Sequence, residues 1–330
     1  MALLQVAMRW QARGVTDFPG YDGRSATADD ARWLLPLYEA SDLSATGTVD
    51  FTEADIDGLL RDPRSRLERS LLLSRAGTPV AVMVPSVRTP DADGAVPFDL
   101  EVVVHPDHPG VHEGLVRAGL AAAREHAAEV DHEVRVDVWT LEPSLQETLA
   151  GLGFARSARH VRLHRDLAGD EQEPAPREDV RVRLVDGEDD RRTFHATLVS
   201  VFSDSGNTTV DPYDLWSARM ASSDVNDPAQ WWLLERRTAG EWLAVGLVQG
   251  NRKADEDGHA WIRNYGLTPG ARGVGLGGYL LRWAIARFAA FGHRGVGLGA
   301  DLDNTTAALD VYARAGFRQL YSAERFSLLT

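Results

Sequence analysis

The apolar positions of the chain change period in the same order twice. "SLLLSRAGTPVAVMVPSV" (70–87) is two apolar runs about a Gly-Thr-Pro turn, which predicts a hairpin. "DLEVVVHP" (99–106) predicts a third strand, and "HEGLVRAGLAAAREHAAEV" (112–130) carries apolar and alanine positions at helical spacing. "EVRVDVW" (133–139) alternates, and "SLQETLAGLGF" (144–154) predicts a short helix ending in Gly-Phe. The second half repeats the order: a hairpin over 230–250, a strand over 259–269, a helix over 278–292, a strand over 295–301, and a helix over 306–317 that again ends in Gly-Phe. Two copies of β-β-β-α-β-α predict an internal duplication, with coincident patterning in two α/β halves as the alternative. Helices over 182–202 and 212–222 lead the second copy, and "RSATADDARWLLPLYEASDL" (24–43) leads the first, with Thr and Asp as candidate N-caps.

Between the copies, "AGDEQEPAPRED" is acidic, holds two prolines and has no periodicity, so it predicts a linker. The expected layout is a domain over 1–167, a linker over 168–179 and a second domain over 180–330. The chain of 330 residues exceeds what one hydrophobic core usually serves. A formal charge of −14 argues against broad affinity for nucleic acid or an anionic membrane. No cysteine is present, which removes disulfides, thiolate metal ligands and cysteine nucleophiles together. His105, His108 and His112 cluster without acids at ligand spacing, so no metal is expected. The opening "MALLQVAMRW" lacks the regions of a signal peptide and no run of 18 apolar residues occurs, so a cytoplasmic protein is expected.

The chemistry concentrates in "ARGVGLGGYLL" (271–281), four glycines ahead of an apolar helix. The N–H groups of Arg272, Gly273, Val274, Gly275, Leu276, Gly277 and Gly278 can converge on a phosphate group at the positive end of the helix dipole. Arg272 is positioned to add a charge-assisted contact. The alternative is a structural turn capping a helix. A nucleotide-binding P-loop is disfavoured, because "GARGVGLGG" has no Lys-Ser/Thr after it.

A second motif follows about 30 residues later, "DLDNTTAALDVYARAGF", with Asp301, Asn304, Tyr312, Gly316 and Phe317. The order strand, Arg-x-x-Gly-x-Gly, apolar helix, strand, then Asn and Tyr before Gly-Phe resembles the GNAT superfamily of acyl-CoA N-acyltransferases. The whole chain resembles its tandem two-domain, mycothiol synthase-like branch, in which a decayed first domain precedes an intact second one. In the first half the arginine position is Pro109 and the middle glycine is His112, with only Gly114 left. Proline offers no N–H and the imidazole is bulky, so this domain is expected not to bind CoA productively. The resemblance implies an α/β (α+β) protein of two tandem GNAT folds, each a mixed, mostly antiparallel sheet flanked by helices.

The resemblance further implies acetyl-CoA, or another acyl-CoA, as donor. The strand before the phosphate loop would part from its neighbour, freeing backbone groups of Tyr265 and Leu267 for the acyl carbonyl and pantetheine amides. Gly266, between them, is either a point of close cofactor approach or a small residue in a crowded sheet. Tyr312 is expected as general acid for the departing thiolate, the alternative being a tyrosine packed for bulk. Asn304 is expected on the pantetheine arm, or as a cap for the helix beginning near Thr305. The base is open: the glutamate of the mycothiol synthases corresponds to Trp261, which leaves Asn264, His259, Asp257 and Glu256 for a base or water relay. Trp216 either lines an acceptor pocket or anchors a leading helix. The expected partner is a small-molecule primary amine, to be acetylated by a monomer or weak homodimer; a non-catalytic acyl-CoA sensor is the rival.

Overall fold

The computed structural model describes residues 18–91, 94–130, 132–204, 209–252, 258–302 and 307–330. The chain forms two compact units, one of Met1–Arg159 with Ala323–Thr330 and one of His160–Ser322. The first half supplies β1 (Asp22–Arg24), α1 (Ala31–Thr46), α2 (Glu53–Arg61), β2 (Leu71–Arg75), β3 (Thr78–Val87), β4 (Val96–Val104), α3 (His112–Val130), β5 (Val134–Thr140), α4 (Pro143–Gly151) and β6 (Ala155–Asp166). The second supplies β7 (Val180–Leu184), α5 (Gly187–Val201), α6 (Tyr213–Ala221), β8 (Trp231–Thr238), β9 (Glu241–Arg252), β10 (His259–Leu267), α7 (Leu276–Ala290), β11 (Gly295–Asp301), α8 (Ala307–Arg314) and β12 (Arg318–Leu329).

In the first unit the strand order is β1-β2-β3-β4-β5-β12, antiparallel except for the parallel pair β4–β5. Its last strand comes from the C-terminus, where Glu324–Leu329 of β12 pair with β5. In the second unit the order is β6-β11-β10-β9-β8-β7, antiparallel except for β10–β11, and residues His160–Asp166 of β6 close it. Each unit thus borrows a strand segment from the other half of the sequence. Residues 168–179 lie inside the second unit, and the division falls within β6. The acidic, proline-containing run marks a surface segment, and the division of the two units lies upstream of it.

Both sheets are covered on both faces. Leu115, Val116, Leu145 and Leu149 from α3 and α4 pack on one face of the first sheet; Leu34, Leu37 and Ile56 from α1 and α2 pack on the other. In the second unit α7 and α8 cover one face, and α5 and α6 the other with Phe194, Trp216 and Met220. The duplication extends to details of backbone. Both hairpins turn on Ala-Gly with positive φ at both residues, Ala76-Gly77 and Ala239-Gly240, the pairing that matches strand twist. The first turn therefore lies one residue ahead of the expected Gly-Thr-Pro, and Pro79 falls in β3 beside a register shift. Both Gly-Phe endings form the same helix stop: Phe154 N–H donates to Leu149 O and Phe317 N–H to Tyr312 O, each at 3.0 Å, around a left-handed glycine. Tyr312 and Leu149 occupy the same position in the two copies.

Two expectations are corrected. The predicted helix over 182–202 begins at Gly187, because "VRVRL" alternates and pairs with β8 as β7. The strands at 155–166 and 318–329 were not anticipated. No helix among the described residues is long and apolar enough to cross a membrane.

Candidate active site

β10 is paired on one side along most of its length and on the other only at its start. It pairs with β9 through Leu267, with a register shift between Ile262 and Asn264. With β11 it pairs only from His259↔Gly295 to Ile262↔Leu298. From Asn264 to Leu267 the strand edge that faced β11 has left it, and alternate peptide groups there point into the opening. The expected parting of strands is in place.

The loop after β10 is built around two left-handed glycines. A short turn over Pro269–Ala271 leads to Gly273 (φ 80°) and Gly275 (φ 79°), and Gly275 is the N-cap of α7. The first turn of α7 has no side-chain cap and no acidic residue. Its N–H groups have no intrahelical acceptor, so they present the donors an anion requires. A Cβ at Gly273 or Gly275 would meet nothing within 4 Å, so the loop surface is open there. Val274 is half exposed. At Gly277 a Cβ would come 3.1 Å from the Tyr265 hydroxyl, which places that phenol against the start of the helix.

Arg272 is occupied differently from the expectation. Its N–H donates to Pro269 O at 3.3 Å. Its guanidinium donates to both carboxylate oxygens of Asp204, to Val201 O at 2.9 Å and to Leu267 O at 3.1 Å. The side chain straps the end of α5 to the end of β10, and it holds the Asp204 carboxyl below its usual range. Gly266 meets the second of its two expectations. A Cβ there would lie 2.4 Å from Val201 Cγ1, so the close approach that demands glycine is by α5.

Tyr312, on α8, is 9% exposed and lies between Tyr265 and Phe317, each ring centroid 6.0 Å away. Burial pushes its hydroxyl up to about 12, and burial together with the neighbouring Tyr312 raises that of Tyr265 further. Both phenols stay protonated through the neutral range. Asn264 donates from Nδ2 to Gln249 Oε1 at 2.6 Å, and Gln249, fully buried, donates to Met220 Sδ at 3.0 Å. An amide has no site basic enough to accept a proton at neutral pH, so Asn264 can orient a group but not deprotonate it. His259 packs edge-on against His164, 4.9 Å between centroids, at the opposite end of β10 from the opening. Trp261 lies under the Arg162 guanidinium at 3.6 Å and over Gly297. Asn304, Glu256 and Asp257 lie outside the described residues.

Comparison with known proteins decides the family. Residues 192–317 match the acetyltransferase (GNAT) family. The mycothiol acetyltransferase of Frankia alni is 31% identical over 303 residues, 86% of each chain. That of Streptomyces avermitilis is 31% identical over 255 residues, 76% of each chain. The chain belongs to the GNAT acetyltransferase family. Its tandem architecture is shared with the GCN5-related N-acetyltransferase of Sphaerobacter thermophilus, at a TM-score of 0.74 and 22% identity over 95% of this chain and 97% of that one. A tandem GNAT protein from the clavulanic acid biosynthesis pathway superposes at a TM-score of 0.68 and 15% identity, over 94% of this chain and 98% of that one.

Within this GNAT pair the first unit has filled its own loop. His112, at the position of Gly275, lies 3.2 Å from Glu142. The Phe18 ring sits where a Cβ on Gly114 would fall, at 2.6 Å, and the Tyr21 hydroxyl bonds His108 Nδ1 at 3.0 Å. Leu149 stands where the second unit has Tyr312.

The second unit also contains a cavity of about 440 Å³ beside α6, lined by Trp216, Met220, Asp224, Asn226, Asp227 and Trp231 among others. The indole N–H groups of Trp216 and Trp231 are buried without partners. Met220 joins the cavity wall to Gln249 and so to Asn264 on the parting strand. Gln249 and Asp204 were missed from the sequence. Gln249 carries a readable signal, a lone amide in the apolar run "GLVQGN". Among the described residues no group of His or acids is arranged to hold a metal.

Proposed function

We propose that the second unit transfers an acetyl group from acetyl-CoA to a primary amine of a small molecule, with Tyr312 as general acid. The observation that carries this reading is the uncapped first turn of α7, opened by Gly273 and Gly275, set beside a strand parted from its neighbour at Asn264. Amide donors there suit a diphosphate; helix-terminus interactions of this kind are worth roughly 0.3–2 kcal/mol each. The exposed edge of β10 at Tyr265–Leu267 suits the pantetheine amides and the thioester oxygen. Asn304 is assigned to the pantetheine arm on the family resemblance. In the transfer a C–N bond forms as the C–S bond breaks; Tyr312 gives its proton to the sulfur and the proton shed by the amine returns through water. Asn264, tied to Gln249, orients that water. The amine enters by the cavity at Trp216 and Trp231.

The first unit, with His112, Phe18 and Leu149 where the second has Gly275, open surface and Tyr312, is assigned no donor binding. A narrower reading takes the acceptor to be the amino-thiol precursor of mycothiol, favoured by the named relatives. Trp261, stacked under Arg162 at the position where the family resemblance implies a glutamate, counts against it.

The test is thiol release from acetyl-CoA across a panel of amines that includes the mycothiol precursor, alongside the thermal shift given by CoA. Turnover with one class of amine and a CoA-dependent rise in melting temperature are expected. A ligand at about 100 times its Kd stabilises a fold by about 2.7 kcal/mol. Absence of both responses overturns the assignment, and a CoA shift without turnover on any amine favours the acyl-CoA sensor.

A further inference from the structure

Glu101 is a carboxylate with no compensating partner. It sits on β4, three residues before the strand ends at Val104, as Asn264 sits three residues before the end of β10 at Leu267. β4 pairs with β5 only as far as Leu100↔Val138, so Glu101 is the first residue of the first unit's own strand opening. Alternation along β4 sends Phe98, Leu100 and Val102 to the face under α3 and leaves Asp99, Glu101 and Val103 on the face under α1 and α2. There Glu101 is half-buried and makes no hydrogen bond or ion pair among the described residues.

What faces it sharpens the anomaly. From α1 come Asp42, whose Oδ2 accepts from the N–H groups of Asp50 and Phe51, and Tyr38 one turn earlier. Tyr38 is 1% exposed and its hydroxyl has no partner. Its ring lies 5.1 Å from that of Phe51. On the same strand is Asp99, whose cation is Arg88 at 3.6 Å. Val84 of β3, opposite Glu101, is apolar. Burial and the two neighbouring acids raise the Glu101 carboxyl to about 7, and Glu101 and Asp42 help raise the Tyr38 hydroxyl. A half-buried carboxylate without a protein partner gives up part of its hydration, a cost that a bound cation would offset.

We propose that the first unit binds a small organic ammonium ion, held by Glu101 and Tyr38 at the opening of β4. An ammonium supplies the charge that Glu101 lacks and an N–H donor that the Tyr38 hydroxyl can accept. The Tyr38 and Phe51 rings suit an apolar substituent. A metal ion is the poorer occupant, because the acids do not converge as a ligand set. The two units have thus divided the features of one site: the second keeps the anion cradle with an amide at Asn264, and the first has filled the cradle but keeps a carboxylate at the matching place. This site requires no acyl donor and stands independently of the transferase reading.

The test is a 13C NMR titration of the Glu101 carboxyl in the full chain, with and without millimolar 2-phenylethylamine or putrescine, using 2-phenylethanol as the neutral control. Either amine is expected to lower the proton affinity of Glu101 about tenfold or more, and the alcohol to leave it unchanged. Tyr38→Phe is expected to weaken the amine response by about 2- to 10-fold, the value of one hydrogen bond. A Glu101 titration indifferent to both amines overturns the proposal. So does a Glu101→Gln protein that melts below the wild type without ligand, since that marks the carboxylate as already paired; the proposal expects it to melt higher.

Discussion

Arg272 and Asp204 form an ion pair that ties the glycine loop before α7 to the end of α5, with two further bonds from the same guanidinium to backbone carbonyls. The arginine of the loop motif therefore braces the loop from behind. Arg272→Ala is expected to weaken CoA binding about 3- to 10-fold with a smaller effect on kcat, and Asp204→Ala to reproduce most of that loss; pairs sharing one network couple by about 0.5–3 kcal/mol. Calorimetric CoA titrations of the two single variants and the double variant check this. If the guanidinium instead grips the diphosphate, Asp204→Ala frees it and CoA binds as well as before or better.

Tyr312→Phe should lower kcat by about 10²- to 10⁴-fold while CoA affinity changes little, as expected for loss of a general acid. Burial pushes the hydroxyl up to about 12, so the acid form that the proposed role requires persists through the accessible alkaline range. The pH–rate profile of the wild type is expected to show no alkaline fall near 10 from this group. A fall centred near 10 that disappears in Tyr312→Phe would contradict the buried placement.

Gly266→Ala drives a methyl into Val201 and is expected to destabilise the second unit by about 1–3 kcal/mol, the usual range for overpacking. Adding Val201→Ala should restore most of the loss. Melting temperatures of the single and double variants measure it. An effect on CoA binding without an effect on melting would return Gly266 to the role of a cofactor contact.

Glu101 makes stability depend on pH in a defined direction. Its folded-state value of about 7 lies above the ordinary 4.5, so the folded chain holds the proton more tightly than the unfolded one. Its contribution falls as pH rises from about 4.5 through about 7 and is flat above, by an amount on the order of 3 kcal/mol. The difference in urea-unfolding free energy between wild type and Glu101→Gln, measured from pH 4 to 8, should change across that window. A constant difference contradicts the uncompensated carboxylate.

The elements that were legible from sequence are those with a clean period and a packing face. The helix over 112–130 and the strand over 295–301 kept their boundaries because burial alone imposes their pattern. The edges of the sheets were hidden. "VRVRL" and "ARSARHVRLHRD" alternate, but arginine fills most of their outer positions, and their pairing partners lie far along the chain. At the candidate site, the left-handed turn at Gly273 and Gly275 and the helix stop after Tyr312 were readable because turn geometry and helix end carry local signatures. The strap between Arg272 and Asp204, the bond between Asn264 and Gln249 and the contact of Gly266 with Val201 were not, since each joins elements brought together only by folding.

The central claim, that the amides opening α7 hold the diphosphate of the acyl donor, is tested most directly by a crystal structure of the full chain with acetyl-CoA. Diphosphate oxygens within hydrogen-bond distance of the N–H groups between Gly273 and Gly278, with the sulfur beside the Tyr312 hydroxyl, are the predicted result. A nucleotide seated at the start of α3 in the first unit, with the Gly273–Gly278 loop empty, would contradict it.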